Sequence, residues 1–355
     1  MLILGSEGIK MNKQLENLTE VAAFTVEQDR PFFSATHEEI LNGATTDIYF
    51  IKTLQILQHM GIGAREATAE IFARKAGVFA GLPEILSLLK GRKVKVWALP
   101  EGQRFQEKEV LLRISGPYEQ YGALETPLLG ILASSSGWAT AAREIALAAK
   151  DSPVTVFGAR HVHPAVAPVM ERSAIIGGVG NSSCILGAKL AGMEPVGTAP
   201  HALFLIVGDT VAAALAYDEC MPENSSRLIL VDTFKDEAEE SLRLAEAMQG
   251  HLAGVRLDTP SERGGVGIEL VKEIRARLDR AGYQDVKIFV SGGLTPERLR
   301  LLKEAGAAAF GVGSYISGAQ PIDMTMDLKQ VEGKDVAKRG RIPGITENSR
   351  LQRIL

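Results

Sequence analysis

The sequence predicts an α/β protein in two parts, a smaller α+β domain followed by a β/α barrel-like domain. Three observations carry that expectation. From Pro153 onward, short apolar runs alternate with stretches of helical period, which implies parallel strands with helices outside. Before Tyr118 the pattern is mixed, with helical stretches first and then an alternation of apolar and polar residues typical of antiparallel strands. The last two strand-like runs both end in bare backbone, "SGG" at 291–293 and "GVGS" at 311–314. In a β/α barrel the site lies at the C-terminal ends of the strands, and phosphate commonly binds after the last two.

The elements follow in order. "MLILGSEGIK" has too short an apolar run and no basic start, so no signal peptide is expected. Ile40–Gly61, containing "TTDIYFIKTLQIL", reads as a long helix, and Ala67–Gly77 as a second. "KVKVWALPEGQRFQEKEVLLRISGPYEQ" alternates and turns at Pro100–Gly102, so it reads as antiparallel strands. "ALETPLLGILASSSGWATAAREIALAAK" is a long helix or a helix pair. The expected domains are 1–125, α+β, and 126–330, the barrel. A basic, turn-rich tail over 331–355 is expected to pack back on the first domain.

Within the barrel, strands are predicted at Val154–Gly158, Glu194–Thr198, Arg227–Asp232, Gly254–Asp258, Val286–Val290 and Ala307–Val312. Helices are predicted over Pro200–Tyr217, Lys235–Gln249, Gly267–Gly282 and Thr295–Ala305. The longest apolar stretch, "LFLIVGDTVAAALA", is interrupted by Asp209 and too short to span a bilayer, so it reads as a buried helix and no membrane partner is expected.

Composition narrows the class. A net charge of −4 gives no footprint for a polyanion, so no nucleic-acid partner is expected. Two cysteines, Cys184 and Cys220, stand in no CxxC arrangement. That excludes a disulfide framework and a cysteine-based zinc site, and fits a reducing, cytoplasmic compartment.

The candidate site residues cluster at predicted strand ends. Ser291, Gly292, Gly293, Gly311, Gly313 and Ser314 offer amides that a phosphate can approach, or simply make tight turns. Arg256 and Asp258 are two apart on one strand and face the same side. Opposite charges on an inner face are expensive unless paired or bound to a ligand, so they hold a polar substrate or close the barrel as an ion pair. Asp232 ends an apolar strand and Thr233 follows; the aspartate orders a magnesium-bound phosphate or a sugar hydroxyl, or caps the next helix. In "VTVFGARHVHPAV", Phe157 can stack on a flat ring and Arg160 can grip an anion. His161 and His163 lack the further ligands a metal site needs. His201 follows Pro200 in the first turn of a helix, where the dipole disfavours imidazolium and attracts phosphate. A neutral imidazole there is a nucleophile toward a phosphoryl group, or a capping residue.

In order along the chain, "TTDIYFIKT", "PEGQRF", "FGARHVHPAVAPVMERSAIIGG", "GTAPHAL", "VDTFKDE", "VRLDT", "SGGLTPE" and "FGVGSYIS" together resemble the nicotinate phosphoribosyltransferase family of the compact type, from about Pro31 to Arg341. The resemblance implies a type II phosphoribosyltransferase fold. It implies that nicotinate and phosphoribosyl pyrophosphate give nicotinate mononucleotide and pyrophosphate, with ATP as co-substrate. By motif, His201 is the histidine that ATP phosphorylates, and Arg256 and Asp258 act with it. Phe157 and Tyr49 of a neighbouring subunit sandwich the pyridine ring, so a homodimer with a shared site, or a higher homo-oligomer, is expected. Arg160 and Arg256 hold carboxylate and phosphate, Asp232 and Asp258 the ribose and magnesium pyrophosphate, and the glycine loops the 5′-phosphate. His163, Asn181, Thr198 and Thr233 complete the substrate-binding set. Mg2+ is expected to come with the pyrophosphate, near Asp232 and Asp258, with no resident metal.

Two departures stand out. Gly180 replaces an acidic residue common in compact relatives, leaving Asn181 and Ser182 to fill that role. The cysteine-rich zinc module of many relatives is missing from the sequence, so no zinc is expected. The alternatives are quinolinate phosphoribosyltransferase, which shares the fold, decarboxylates a dicarboxylate and does not couple ATP; a nicotinamide-preferring enzyme; and a phosphate-binding barrel lyase or isomerase. Lys287 lies at the wrong end of its strand for a lyase of that kind, and Lys235 lies past its strand.

Overall fold

A computed structural model describes residues 14–355; the stretch "MLILGSEGIK", where no signal peptide is expected, lies outside the described residues. The chain forms two compact units. The first runs to Ser136 and resumes over Pro321–Leu355, and the second is Gly137–Gln320.

The first unit is built on a six-stranded antiparallel sheet in the order Lys334–Asp335, Met324–Val331, Glu66–Ala73, Val110–Pro117, Lys95–Ala98, Gln352–Arg353. Ile71, Leu112 and Ile114 are fully buried there, with Ile85 and Leu89 of the helix Leu82–Leu89 in the same core. The helix expected over Ala67–Gly77 is a strand, Glu66–Ala73. Its alanines and glutamates favour a helix locally. The segment instead pairs on both edges, with Val110–Pro117 and Met324–Val331, and tertiary pairing overrides local propensity. The helix expected over Ile40–Gly61 is shorter, Ile48–His59. A separate short helix, His37–Leu41, precedes it, closed by a Thr36–Glu39 capping box, and Gly43 at φ 86° breaks the path between them. "ALETPLL…" folds as one continuous helix, Glu125–Ala149.

The second unit is a six-stranded parallel sheet in the order Asn181–Ser182, Val154–Val156, Ala309–Val312, Lys287–Ser291, Gly254–Leu257, Leu228–Leu230. Val255, Leu257, Ile288, Val290 and Phe310 are buried in its core. Helices Glu237–Met248, Ile268–Arg280 and Pro296–Glu304 take the expected places between strands. The alternation along Gly254–Leu257 buries Val255 and Leu257 completely and leaves Arg256 partly accessible, as the two-residue period requires.

Two expectations in this unit are corrected. Glu194–Thr198 is not a ladder strand; a bond from Val196 N–H to the Ser182 carbonyl (2.9 Å) fastens it beside Asn181–Ser182. Pro200–Tyr217 is two helices, His201–Val207 and Thr210–Cys220. Gly208 at φ 87° ends the first, and the Asp209 carboxylate caps the second by accepting from Ala212 N–H (2.8 Å). "LFLIVGDTVAAALA" is therefore not one buried helix: Phe204 is buried, whereas Leu205, Ile206 and Val207 are exposed. No helix among the described residues is long and apolar enough to cross a membrane.

Candidate active site

The site is assembled at the C-terminal ends of the parallel strands in the second unit. Three strands carry apolar residues into the core and reach a polar residue at or just past their ends: Lys287–Ser291 ends on Ser291, Gly254–Leu257 is followed by Asp258, and Leu228–Leu230 by Val231 and Asp232. Ser291 ends Lys287–Ser291 and is almost completely buried. Its hydroxyl accepts from Arg256 Nε (3.0 Å) and donates to Asp258 Oδ1 (2.9 Å). Arg256 also donates from Nη2 to Asp258 Oδ2 (3.2 Å) and from Nη1 to Thr198 Oγ1 (2.7 Å). The Arg256–Asp258 pair foreseen from spacing is thus a real ion pair, tied across strands by Ser291 and to the 194–198 segment by Thr198. Burial pulls the Arg256 guanidinium below its usual value, opposed by the carboxylates of Asp258 and Asp232. The guanidinium carbon sits 4.9 Å from the centroid of the Phe157 ring, which in turn lies 6.0 Å from that of Phe289.

A second pair adjoins the first. His201 Nε2 is 3.0 Å from Asp232 Oδ1, and Asp232 Oδ2 accepts from the backbone N–H of Asp258 (3.2 Å). The Asp232 side chain is 1% exposed. Burial raises its carboxyl above the ordinary range, His201 pulls it back down, and the charge of Asp258 adds a smaller upward push. Because a carboxylate accepts, Nε2 of His201 carries the hydrogen and Nδ1 is the ring nitrogen left for chemistry.

The glycines divide by physical reason. Gly292 (φ 90°) and Gly293 (φ 58°) take left-handed conformations, and among the described residues their amides donate to no protein oxygen. Gly311 and Gly313 are required by space. A Cβ at Gly311 would lie 2.4 Å from Phe157 Cε2, and one at Gly313 2.7 Å from His161 Cε1.

Together these residues border a cavity of about 110 Å3, lined by Phe157, Arg160, Arg256, Asp258, Ser291, the four glycines, Ser314 and His161. By the volume liquid water occupies it holds about three or four waters, or one phosphate-sized anion. Arg160 is exposed at its edge and makes no ion pair among the described residues. His161, set aside in the sequence as a poor metal ligand, is in the lining. His163 is not among the lining residues; its Nδ1 accepts from Ala165 N–H (3.2 Å) in a local turn. His201 and Asp232 reach the cavity through Asp258 rather than lining it themselves. Asn181 pairs with Thr155, on the sheet face that Thr155 shares by alternation with Phe157, whereas Ser182 is fully buried and donates to Glu171 Oε2 (2.5 Å). The Thr233 hydroxyl is buried without a partner. Tyr49 belongs to the first unit, is 56% exposed, and donates to Asp47 Oδ2 (3.2 Å). Among the described residues, no three His, Cys, Asp or Glu side chains converge to hold a metal ion.

Comparison with known proteins gives consistent matches. The N-terminal domain of quinolinate phosphoribosyl transferase matches residues 47–136, and its C-terminal domain residues 138–327. Nicotinate phosphoribosyltransferase pncB2 of Mycobacterium tuberculosis is 31% identical over 253 residues, covering 68% of this chain and 53% of that protein, so the chain spans about half the length of that relative. A crystal structure of nicotinate-nucleotide pyrophosphorylase from Pyrococcus furiosus superposes with a TM-score of 0.85 at 44% identity, covering 89% of this chain and 82% of the other. Human nicotinic acid phosphoribosyltransferase shares the fold, with a TM-score of 0.69 at 20% identity over 85% of this chain and 77% of that one.

Proposed function

The chain belongs to the quinolinate phosphoribosyl transferase family and has its two-domain, type II phosphoribosyltransferase fold, and from that premise we propose that it transfers a phosphoribosyl group to the ring nitrogen of a pyridine carboxylate. The observation that carries the reading is the Arg256–Ser291–Asp258–Asp232 network beside the two glycine pairs. The bond from C1 of the ribose to pyrophosphate breaks, and positive charge develops on the sugar. The Asp258 carboxylate, oriented by Ser291 and Arg256, stabilises that charge without having to reorganise. The free amides at Gly292 and Gly293 hold the 5′-phosphate. The pyridine nitrogen is already a nucleophile and needs no base, so placing it beside C1 is most of what Phe157 and Arg160 supply. Asp232 and Asp258 accept two bonds each and keep lone pairs. Asp258, which lines the cavity with Asp232 bonded behind it, fits a magnesium ion that would arrive with pyrophosphate, keep most of its waters and neutralise the leaving group.

Two bases compete. The sequence expectation put nicotinate first. The matching family and the 44% identical pyrophosphorylase favour quinolinate instead, the nicotinate phosphoribosyltransferases being more distant at 20–36%. On the quinolinate reading the carboxylate next to the ring nitrogen leaves as CO2. Its electron pair stays on that carbon, which takes a proton from solvent, and the products are nicotinate mononucleotide, CO2 and pyrophosphate. Nicotinate remains a second reading because of one observation, the His201–Asp232 pair. There Nδ1 of His201 would attack the γ-phosphorus of ATP, the bond to the β–γ bridging oxygen breaking and ADP leaving.

The test is turnover with phosphoribosyl pyrophosphate, Mg2+ and each of quinolinate, nicotinate and nicotinamide, with and without ATP. Release of CO2 from quinolinate one-for-one with mononucleotide is the expected result. ATP-stimulated product from nicotinate, with quinolinate inert, would select the second reading. No mononucleotide from any base would overturn both.

A further inference from the structure

We propose that His161 is a substrate-binding residue whose Nε2 donates to an oxygen of the phosphate held at the glycine loops. The inference rests on the transferase reading above but adds a residue that reading does not use. Its ring lines the cavity, although the residue is exposed. His161 Nδ1 is 3.1 Å from Ser317 Oγ, and its Cε1 packs where any side chain at Gly313 would intrude, 2.7 Å from the Cβ position. Gly313 is therefore the residue that admits the imidazole.

Ser317 bears on the ring's hydrogens. A serine has one hydroxyl proton, and here it has two acceptors at 3.1 Å, the Gly313 carbonyl and Nδ1 of His161. Given to Nδ1, it leaves the ring's own hydrogen on Nε2. Among the described residues Nε2 has no protein partner. The charged groups lining the same cavity are Arg160, from the turn that carries His161, and Arg256 and Asp258, from the strand Gly254–Leu257 and its end. With two arginines and the free amides of Gly292 and Gly293, the cavity suits an anion rather than a second cation. With its hydrogen on Nε2, the ring donates to an oxygen of that anion.

Glutamine and asparagine separate this role from simple packing. The glutamine side chain places its amide nitrogen near the position of Nε2, and asparagine near that of Nδ1. With the full chain and a saturating pyridine base, His161→Asn is expected to raise KM for phosphoribosyl pyrophosphate by about tenfold, with kcat and the KM for the base little changed. His161→Gln is expected to rescue most of that loss. Calorimetric titration of each variant with magnesium phosphoribosyl pyrophosphate should reproduce the pattern in Kd, and melting curves check folding. Rescue by Asn instead of Gln would confine the ring to its bond with Ser317 and overturn the proposal. Unchanged KM in both variants, with the wild type active, would do the same while leaving the transferase reading standing. A wild type that neither binds nor turns over phosphoribosyl pyrophosphate would overturn both.

Discussion

Ser291 shows how much one hydroxyl can organise. It stands between the guanidinium of Arg256 and the carboxylate of Asp258, bonded to both, and it is 2% exposed. Ser291→Ala leaves Arg256 Nε and Asp258 Oδ1 each short of a partner in a buried setting. A bond to a charged group contributes about 1.5–3 kcal/mol, so kcat/KM should fall by about ten- to a hundredfold while the melting temperature drops only a few degrees. An unchanged kcat/KM would mean that the ion pair holds itself. Gly311→Ala is a second test at this scale. Its Cβ would lie 2.4 Å from the Phe157 ring, so the ring must move and the KM for the base should rise steeply. The inward facing of Arg256 and Asp258 was legible from a spacing of two. The Ser291 bridge was not, because it joins residues 35 and 33 positions apart. Nor was the choice between the two histidines: His161 and His163 look alike in sequence, and only the packing of His161 against Gly313 and Ser317 puts one at the cavity and leaves the other outside.

At the scale of elements, the outcome depended on how local the deciding forces are. The helices Glu237–Met248 and Ile268–Arg280 were legible because an amphipathic period is written in neighbouring residues. The strand Glu66–Ala73 was not, because its two partners are far along the chain. The long helix Glu125–Ala149 carries its own testable charge. Burial, with repulsion from Asp327, raises the Glu125 carboxyl to about 7. Its position at a helix N-terminus would favour the ionised form, but burial outweighs that. The folded state thus binds a proton more tightly than the unfolded chain. Stability is fully present below about pH 4.5 and is lost as pH rises toward 7. Glu125→Gln should therefore stabilise the protein by about 1 kcal/mol at pH 8, a figure discounted for partial solvent screening, and by little at pH 4. Melting curves at the two pH values decide it: an equal gain at both would assign the effect to packing instead.

At the scale of the whole molecule, two units divide the work. The second brings together Arg256, Asp258, Ser291 and His161, while Tyr49 stands on the first, more than half exposed. If one copy completes the site of another, as the resemblance implies, mixing Tyr49→Ala and His201→Ala chains should restore activity. For a two-fold dimer with random exchange the ceiling is about a quarter of wild type. No recovery despite proven subunit exchange would place the whole site within one chain. The sequence by itself determined the class, the run of strands and helices in the second unit and the strand ends that carry polar and glycine residues. Those features follow from periods of two and 3.6 residues and from the backbone freedom of glycine, all of them local. Only the tertiary structure decided that Glu66–Ala73 is a strand, that the helix after Pro200 breaks at Gly208, that Ser291 joins Arg256 to Asp258, and that His161 rather than His163 enters the cavity. In the strand, the Ser291 bridge and the histidine the deciding energy is a contact between segments distant in sequence, and no local period encodes it; at Gly208 the break was written in the glycine and the Asp209 cap, but the apolar run masked it.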